Sequence, residues 1–341
     1  MSTTLDDKLA SGLDSLASQF AALVSGCAVY DLSSRGHIVL TGGDRVRWLN
    51  GMVTNNIRDL AVGQGVYAFL LNPQGRILAD FYAYNRGESL MVDVDQALAE
   101  KVAATFDHYI IMDDVDVSNL SGQVTAMGLA GGKSRDILRA AGLDLPALMP
   151  LQFAEMSWQG AGLTIVRCDH PGVERFEIWL APANAAALRG ALLEAGAQPV
   201  SADALDLLRV ASGIPRYGQD IRERDLPQET GQQPRALNFT KGCYVGQEIV
   251  ERIRSRGNVH RRFTGFLVDG PLPLPATKVT TEGKDVGEIT SAASLPLVRG
   301  EQRVALGYIR REAEKKALQA GESKLVVAET PFAGVFHEET L

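Results

Sequence analysis

The sequence predicts an α+β protein with a large mixed region over residues 1–262 and a small antiparallel β-barrel over residues 263–341. Strand and helix patterns alternate in the large region without the regular spacing of βαβ units, which favours α+β over a doubly wound sheet. Hairpin turns join several of its strands. After Arg262 the chain carries only short strands separated by loops with glycine and proline, which is the pattern of a small barrel.

Length, charge and cysteine usage narrow the class of protein. A chain of 341 residues is long enough for more than one hydrophobic core. A formal net charge of −7 disfavours a general nucleic-acid binder, and no apolar run is long enough to span a membrane. Cys27, Cys168 and Cys243 lack paired spacing, which argues against a disulfide framework or a zinc site. With no secretory signal at the N-terminus, we expect a cytoplasmic protein.

The first elements follow from apolar spacing. Residues 28–31 and 37–41 read as strands joined by a turn at residues 33–36, and Asp44 is the expected N-cap of the next helix. Before them, a stripe at helical spacing predicts an amphipathic helix over residues 5–24. Its apolar face consists of Leu9, Leu13, Leu16, Phe20 and Leu23.

The clearest strand pattern lies in residues 65–94. Two strands flank residues 72–75, which place proline and glycine where a four-residue turn needs them. A third strand follows, and Asp95 is the expected N-cap of the helix after it. The alternation of strands and helices continues to about residue 212, and we expect a division into two subdomains near residues 120–125.

The densest group of reactive side chains is the string KGCYVGQE at residues 241–248. Residues 249–253 look like the start of an amphipathic helix, so we expect Cys243 near a helix N-terminus, where free N–H groups favour a thiolate. Lys241 adds a nearby positive charge. The alternative is a structural turn with a small inert cysteine. Polar neighbours on both sides of Cys243 favour a functional thiol.

Three charged residues elsewhere are ambiguous from pattern alone. Asp80 shares a strand face with Leu78, which fits either a solvated face or a pocket. Glu177 alternates with apolar residues on a predicted strand, and the pattern predicts an ordinary exposed carboxylate. Arg209 falls in a helical pattern and would be a surface residue.

A family resemblance gives these residues roles. KGCYVGQE resembles the signature of the YgfZ family of folate-binding proteins, which are related to the glycine-cleavage T-protein, an aminomethyltransferase. The resemblance runs from about residue 36 to residue 310 and implies a T-protein-like folate-binding fold with tetrahydrofolate as the ligand. It places Asp80 against the reactive nitrogens of the folate, Glu177 on the pterin and Arg209 at the folate site. The other implied cofactor-binding residues are Asn55, whose alternative role is structural, and Lys241, Tyr244, Gln247 and Glu248.

Two positions depart from the T-protein pattern. Cys243 stands where T-proteins carry an acidic residue, and Met91 stands where they carry a tyrosine beside the folate. These departures disfavour aminomethyl transfer and favour the YgfZ branch, whose members support assembly or repair of iron–sulfur enzymes, including tRNA-modifying ones. Without a cysteine pair, a cluster held by this chain alone is disfavoured.

Three hypotheses therefore stand. The first is a tetrahydrofolate-binding accessory protein for iron–sulfur client enzymes, with Cys243 and Asp80 as the catalytic candidates. The second is an aminomethyltransferase that acts with a lipoylated carrier. The third is a fold relative that binds folate for regulation or only keeps the fold. Whether a reaction is catalysed is left open by the sequence.

Overall fold

The computed structural model describes residues 15–257 and 259–336. Within these ranges the strands form two mainly antiparallel sheets and a closed barrel, with helices interspersed, which confirms the predicted α+β class. The first described helix is α1 (Leu16–Val24). It covers the end of the helix predicted over residues 5–24, whose Leu9 and Leu13 lie outside the described residues.

The five-strand sheet, with the strand order β3-β4-β5-β2-β6, is antiparallel throughout. One of its faces is covered by helices and forms an apolar core that includes Trp48, Phe81 and Phe106. The strands are β2 (Arg35–Thr41), β3 (Gly65–Leu71), β4 (Ile77–Asn85), β5 (Leu90–Asp95) and β6 (Asp116–Asn119), and the helices are α2 (Arg45–Met52) and α3 (Gln96–Tyr109).

The six-strand sheet has the order β11-β1-β7-β10-β9-β8, and only its β1–β11 pair is parallel. Its strands are β1 (Ala28–Asp31), β7 (Thr125–Ala130), β8 (Phe153–Trp158), β9 (Ala161–Arg167), β10 (Arg175–Leu180) and β11 (Gln198–Pro199). The helices of this region are α4 (Ser134–Ala140), α5 (Pro182–Glu194) and α6 (Ala202–Ala211). Because β1 precedes the five-strand sheet in the chain yet pairs with β7, the two sheets are not two consecutive segments divided near residues 120–125.

A covering segment, residues 214–256, runs over the five-strand sheet and leads to the barrel. It contains a short 3₁₀ helix (Pro227–Glu229), α7 (Gln233–Ala236) and α8 (Gln247–Arg256). Tyr244 and Val250 from this segment pack in one apolar cluster with Tyr67 and Phe69 of β3. No helix in residues 15–257 or 259–336 is long and apolar enough to cross a membrane.

The C-terminal barrel closes with six antiparallel strands in the order β12-β15-β14-β13-β16-β17. Its first strand begins at Arg261, close to the predicted boundary at residue 262. One cluster fills the barrel, and another joins barrel residues such as Leu306 to Ala130 of the six-strand sheet. The strands are β12 (Arg261–Asp269), β13 (Lys278–Thr281), β14 (Lys284–Leu297), β15 (Gly300–Arg310), β16 (Leu318–Ala320) and β17 (Ser323–Ala328).

Local signals explain several of these elements, with one exception. The Asp95 side chain accepts a hydrogen bond from the N–H of Ala97 and caps α3, as predicted. Asp44 is the N-cap residue of α2, as predicted, but its side chain makes no capping hydrogen bond. The Asp44 carboxylate instead accepts a hydrogen bond from the N–H of Asp114 and pairs with Arg47, because the loop before β6 lies against this end of the helix.

Candidate functional site

The face of the five-strand sheet opposite its helix-covered core lies partly against one face of the six-strand sheet and partly under the covering segment. His37, Asp93, Tyr82 and Tyr67 form one cross-strand row on this face. Aromatic contacts join the two sheets at one end: the Trp179 ring lies 5.1 Å from that of Tyr84 and 4.9 Å from that of His37.

Polar side chains meet between the sheets, as in the hydrogen bond of 3.1 Å from Tyr82 to Asp169, and we call this polar region the central cavity. Several of its side chains are only half-buried although they lie between two layers of strands, so they line an accessible space. The side chains that define it are Arg35, Asp80, Tyr82, Cys168, Asp169, Arg175, Glu177 and Arg235.

Asp80 lies on β4 and faces this cavity. The Tyr67 hydroxyl donates a hydrogen bond of 2.7 Å to Asp80 Oδ2. Burial raises the pKa of the Asp80 carboxyl, while the Tyr67 hydrogen bond and the nearby Arg35 charge lower it in part. A carboxyl in this setting can hold or release a proton closer to neutral pH than an exposed one.

The other carboxylates of the cavity each pair with an arginine. Asp93 lies 2.9 Å from Arg35, and Asp169 lies 2.8 Å from Arg235. Glu177 lies 3.2 Å from its strand neighbour Arg175. Within the described part of the chain, Asp80 has no such ion pair. It is therefore the carboxylate most available to a cationic or proton-bearing group of a ligand.

Glu177 is 8% exposed, which excludes the ordinary exposed carboxylate that the pattern alone predicts. Its Oε1 accepts from Arg175, but its buried Oε2 has no partner among the described residues. The same is true of Tyr30 Oη, Arg175 Nε and Trp179 Nε1. Each unpaired buried polar atom costs roughly 1–3 kcal/mol. One free acceptor beside several free donors is a pattern that a polar heterocyclic ligand can satisfy.

Arg209 lies away from these residues, contrary to its expected place at the folate site. Its guanidinium donates to Asp220 Oδ2 at 2.7 Å, to Asp206 at 2.8 Å and to Ser291 Oγ at 2.9 Å. Asp220 is fully buried, and Ser291 belongs to barrel strand β14. The arginine is committed to joining α6 to the barrel, so the structure gives it a structural role.

The structure also changes the picture at Lys241. Its ammonium group is buried and donates to three backbone carbonyls, those of Asn50, Val53 and, at 2.8 Å, Asn55. Two of these lie at the C-terminal end of α2, where carbonyls lack helical partners and cations are favoured. Burial lowers the Lys241 pKa to about 7, with Arg58 adding to the effect. Lys241 thus anchors the KGCYVGQE segment instead of presenting a charge to Cys243.

Cys243 is exposed on this anchored segment. The helix after it begins at Gln247, with Gly246 as its N-cap, so Cys243 lies four residues before the first helical residue. The helix N-terminus expected beside the thiol is therefore further along the chain. Tyr244 is buried in the cluster that contains Tyr67, and the Tyr67 hydroxyl donates a hydrogen bond to Asp80. This packing is a link between the motif and the cavity.

Three further predicted cofactor contacts make local interactions. Gln247 accepts a hydrogen bond from the N–H of Tyr244, and Glu248 is exposed in the first turn of α8. Asn55 donates to the carbonyls of Tyr67 and Arg235, which supports its structural alternative.

Most side chains of the cavity are not predicted from the sequence. The predicted turn at residues 33–36 includes Arg35, but β2 begins at this residue and carries it on the same face as His37. Arg235 reaches the cavity from α7, donates to Tyr82 Oη at 2.9 Å and lies over the Tyr67 ring. Alternation of Arg35 with His37 was a usable signal, whereas nothing local marks Arg235.

The structure also gives the positions of Cys168 and Met91. Cys168 directly follows β9 and is half-buried at the cavity, where burial raises its pKa. Met91 is buried and lines a surface groove of about 520 Å³ that also reaches Trp179.

The facing sheets, the covering segment and the closed barrel define a protein of the glycine-cleavage aminomethyltransferase class of folds. The structure of the glycine cleavage system aminomethyltransferase T from Bartonella henselae matches with a TM-score of 0.84, covering 95% of this chain and 91% of that one at 22% identity. Residues 10–240 match the family described as GCVT N-terminal domain, and residues 260–333 match the CAF17 C-terminal beta-barrel domain. The chain belongs to the GCVT family and carries a CAF17-type barrel.

Relatives by sequence agree with this assignment. An aminomethyltransferase from Rubrobacter xylanophilus is 30% identical over 302 residues, which is 88% of this chain and 80% of the relative. A putative chloroplastic transferase from Arabidopsis thaliana is 26% identical over 337 residues, which is 97% of this chain and 77% of the relative. The T-protein-like family is thus established, and the YgfZ branch within it stays a prediction.

Proposed function

We propose that the protein binds a reduced folate, tetrahydrofolate, in the central cavity. The observation that carries the proposal is the unpaired, buried Oε2 of Glu177 beside free donors on Tyr30, Arg175 and Trp179. A pterin ring offers N–H and amino donors to a carboxylate and ring acceptors to such donors. The residues present therefore fit the ligand that the family resemblance implies.

Each cavity residue has a task in this proposal. Glu177 accepts hydrogen bonds from the pterin edge, each charge-assisted bond contributing roughly 1.5–3 kcal/mol. Asp80 is held by Tyr67 through Oδ2, which leaves Oδ1 for a folate nitrogen. Its raised pKa suits a group that holds or accepts a proton there. The folate itself would supply the carrier for a one-carbon unit.

The finer part of the proposal is an accessory role for iron–sulfur client enzymes in the cytoplasm, with Cys243 as the working thiol. The exposed position of Cys243 supports it, because a partner can reach the sulfur without entering the cavity. The anchoring of the same segment by buried Lys241 supports it as well, since the thiol is presented from a fixed backbone. The second candidate is aminomethyl transfer, favoured by the aminomethyltransferase relatives.

Calorimetric titration with tetrahydrofolate tests the binding site. The Glu177→Ala variant should bind more than tenfold more weakly, because a charge-assisted contact of roughly 1.5 kcal/mol or more is lost. The matched control is Glu155→Ala, which removes a glutamate of β8 in the same sheet that is 58% exposed and paired with Arg86. Equal affinity of the Glu177→Ala variant and the wild type would remove Glu177 from the site.

Two assays separate the candidate functions. Mixed with the other glycine-cleavage components, the protein should form no methylene-tetrahydrofolate above background, and turnover near that of a true T-protein would favour the second candidate. Alkylation with iodoacetamide should modify Cys243 before Cys168 and Cys27, whose pKa values burial raises. Cys243→Ser should abolish support of client enzymes at an unchanged melting temperature. A serine variant that unfolds would make the thiol structural.

A further inference from the structure

Arg35 is an arginine of the central cavity to which the function proposed above gives no task. It starts β2, two residues before His37, and Asp80 lies two residues before Tyr82 on β4. His37 and Tyr82 both pair with Asp93 of the strand between them. Arg35 and Asp80 therefore lie on the same face, in the next row of the sheet, with their strands about 10 Å apart.

One edge of the Arg35 guanidinium is fixed. Nε donates to Asp93 Oδ1 at 2.9 Å, and Nη2 donates to Oδ2 at 2.9 Å and to the Asp93 carbonyl at 3.0 Å. Asp93 is 1% exposed, so this fork is held in a buried setting. The guanidinium plane and the direction of its remaining edge are thereby set by the protein.

The other edge is open. Nη1 donates to no residue in the described ranges, and the side chain remains 24% exposed. Burial lowers the pKa of Arg35, but Asp93 and, after it, Glu177 and Asp80 outweigh burial and raise the pKa above its ordinary range. The geometry agrees with this, because Asp80 lies in the same row as Arg35. The ring contact of His37 with Trp179 sets β2 against β10, the strand that carries Glu177.

We propose that Arg35 is a specificity-determining residue whose free Nη1 donates a hydrogen bond to the ring carbonyl of a 4-oxo pteridine. The proposal rests on the proposed binding of a reduced folate in the cavity. In such a ring, the amino group and the ring N–H that suit Glu177 Oε2 lie on the same edge as the 4-oxo acceptor. A donor beside Glu177 completes the recognition of that edge, and arginine supplies donors only.

The chemistry predicts discrimination against a 4-amino pteridine. An amino group in place of the carbonyl would set a donor against Nη1, and the same change removes the ring N–H that suits Glu177, because that nitrogen becomes an acceptor. Sites built on such hydrogen bonds reject the mismatched analogue strongly. Arg35 would therefore read the substituent at position 4 of the ring while Glu177 reads the neighbouring N–H, a role for Arg35 distinct from the proton-handling role of Asp80.

Binding of tetrahydrofolate and of its 4-amino counterpart, tetrahydroaminopterin, tests this role. The wild type should prefer tetrahydrofolate by at least tenfold. Arg35→Lys keeps a cation for Asp93 but loses the second edge, so tetrahydrofolate binding should weaken about ten- to a hundredfold. Binding of the 4-amino ligand should change little, so the preference should shrink by the same factor and leave only the part that comes from Glu177. Arg86→Lys, at an exposed ion pair with Glu155, is the matched control and should keep the wild-type preference.

The ratio of the two affinities separates recognition from damage, because a merely structural defect weakens both ligands alike. If Arg35→Lys fails to fold, Arg35→Met combined with Asp93→Met removes the buried pair together and allows the same comparison. A wild-type preference that persists unchanged in these variants overturns the role of Arg35 while folate binding stands. If the wild type binds neither ligand, the proposed function fails and this inference fails with it.

Discussion

His37 is a side chain between the sheets that water does not reach. It is fully buried, and neither ring nitrogen has a hydrogen-bond partner among the described residues. The Trp179 ring lies 4.9 Å away, and Nε2 is 3.9 Å from Asp93 Oδ1. Burial, with the Arg35 charge adding to it, lowers the pKa of His37 to about 4. The imidazole is thus neutral in the folded protein throughout the physiological range.

This neutral histidine predicts an acid-sensitive stability. Between pH 6.5 and about 4 the unfolded chain binds a proton at this site that the folded chain does not, so stability falls as the pH falls. His37 alone should cost about 2 kcal/mol between pH 7 and pH 5. Urea unfolding at both pH values should show that His37→Phe loses less stability than the wild type over this interval.

His170 contributes a background in the same direction, because burial lowers its pKa to about 3. The matched control is His108→Gln, which changes an exposed histidine at the end of α3 and should lose as much stability as the wild type. An identical loss in His37→Phe would show that His37 is protonated in the folded protein.

The sequence pattern predicts which strand faces individual cavity residues occupy, but it does not predict how deeply these residues are buried. The period of two correctly put Asp80 and Leu78 on one face and Glu177 between apolar neighbours. What covers those faces is a second sheet and the covering segment, which both lie more than forty residues from Asp80 in the chain. Because burial is set by this distant packing, the pattern alone left Glu177 exposed and Arg209 on a helix surface.

At the level of elements, the two glycines of KGCYVGQE differ in backbone conformation and in packing. Gly246 has φ 82°, and a Cβ on it would lie 2.7 Å from the Asn72 carbonyl of the hairpin turn. Gly242 has no atom within 4 Å of its Cβ position and no positive φ. The chain's own hairpin turn therefore requires Gly246, while nothing within the described fold requires Gly242.

This difference predicts opposite outcomes for two alanine substitutions. Gly246→Ala should lower the free energy of unfolding by about 1–3 kcal/mol, since the left-handed backbone and the close carbonyl both disfavour a side chain. Gly242→Ala, four residues away, should stay within about 0.5 kcal/mol of the wild type. Chemical denaturation of both variants is the measurement. A destabilised Gly242→Ala would mean that the loop before Cys243 is packed more tightly than its exposure indicates.

The same element shows why the predicted helix start was misplaced. The apolar residues of α8 begin at Ile249, but the helix begins at Gln247 because Gly246 reverses the chain against residues 72–75. The sequence correctly marks the turn and the helix, yet their contact, which fixes the boundary, joins segments more than 170 residues apart. Asp44 is the N-cap residue that the sequence predicts, but its carboxylate bonds to the loop at Asp114 and not to the helix, for the same reason.

On the scale of the whole molecule, Asp220 joins the large region to the barrel. It is fully buried and accepts from Arg209 Nη1 at 2.7 Å, from the Arg216 N–H at 2.9 Å and from Ser291 Oγ at 2.8 Å. Thr290 of β14 donates to it as well. A carboxylate with this many donors holds α6, the covering segment and the barrel in one arrangement.

Removing this carboxylate should loosen the whole assembly. Asp220→Ala leaves the nearly buried Arg209 without its main partner and should cost about 3–5 kcal/mol. Asp206→Ala, which removes a half-exposed partner of the same arginine, should cost about 1 kcal/mol or less. Thermal unfolding of the two variants compares them directly. Equal melting temperatures would show that the buried ion pair does not hold the barrel in place.

The displaced strand β1 has a consequence for how the chain matures on the ribosome. The five-strand sheet can be complete once residue 119 has emerged, because its last pairing joins β2 to β6. β1 emerges before that sheet but must wait for β7 and, at residues 198–199, for β11. Pairing across such separations is slow, and an early strand with open edges can meet other chains. Among the described strands, residues 28–31 therefore wait longest for their pairing strands during synthesis. Their unpaired edges can meet other chains in this time, before any ligand can bind.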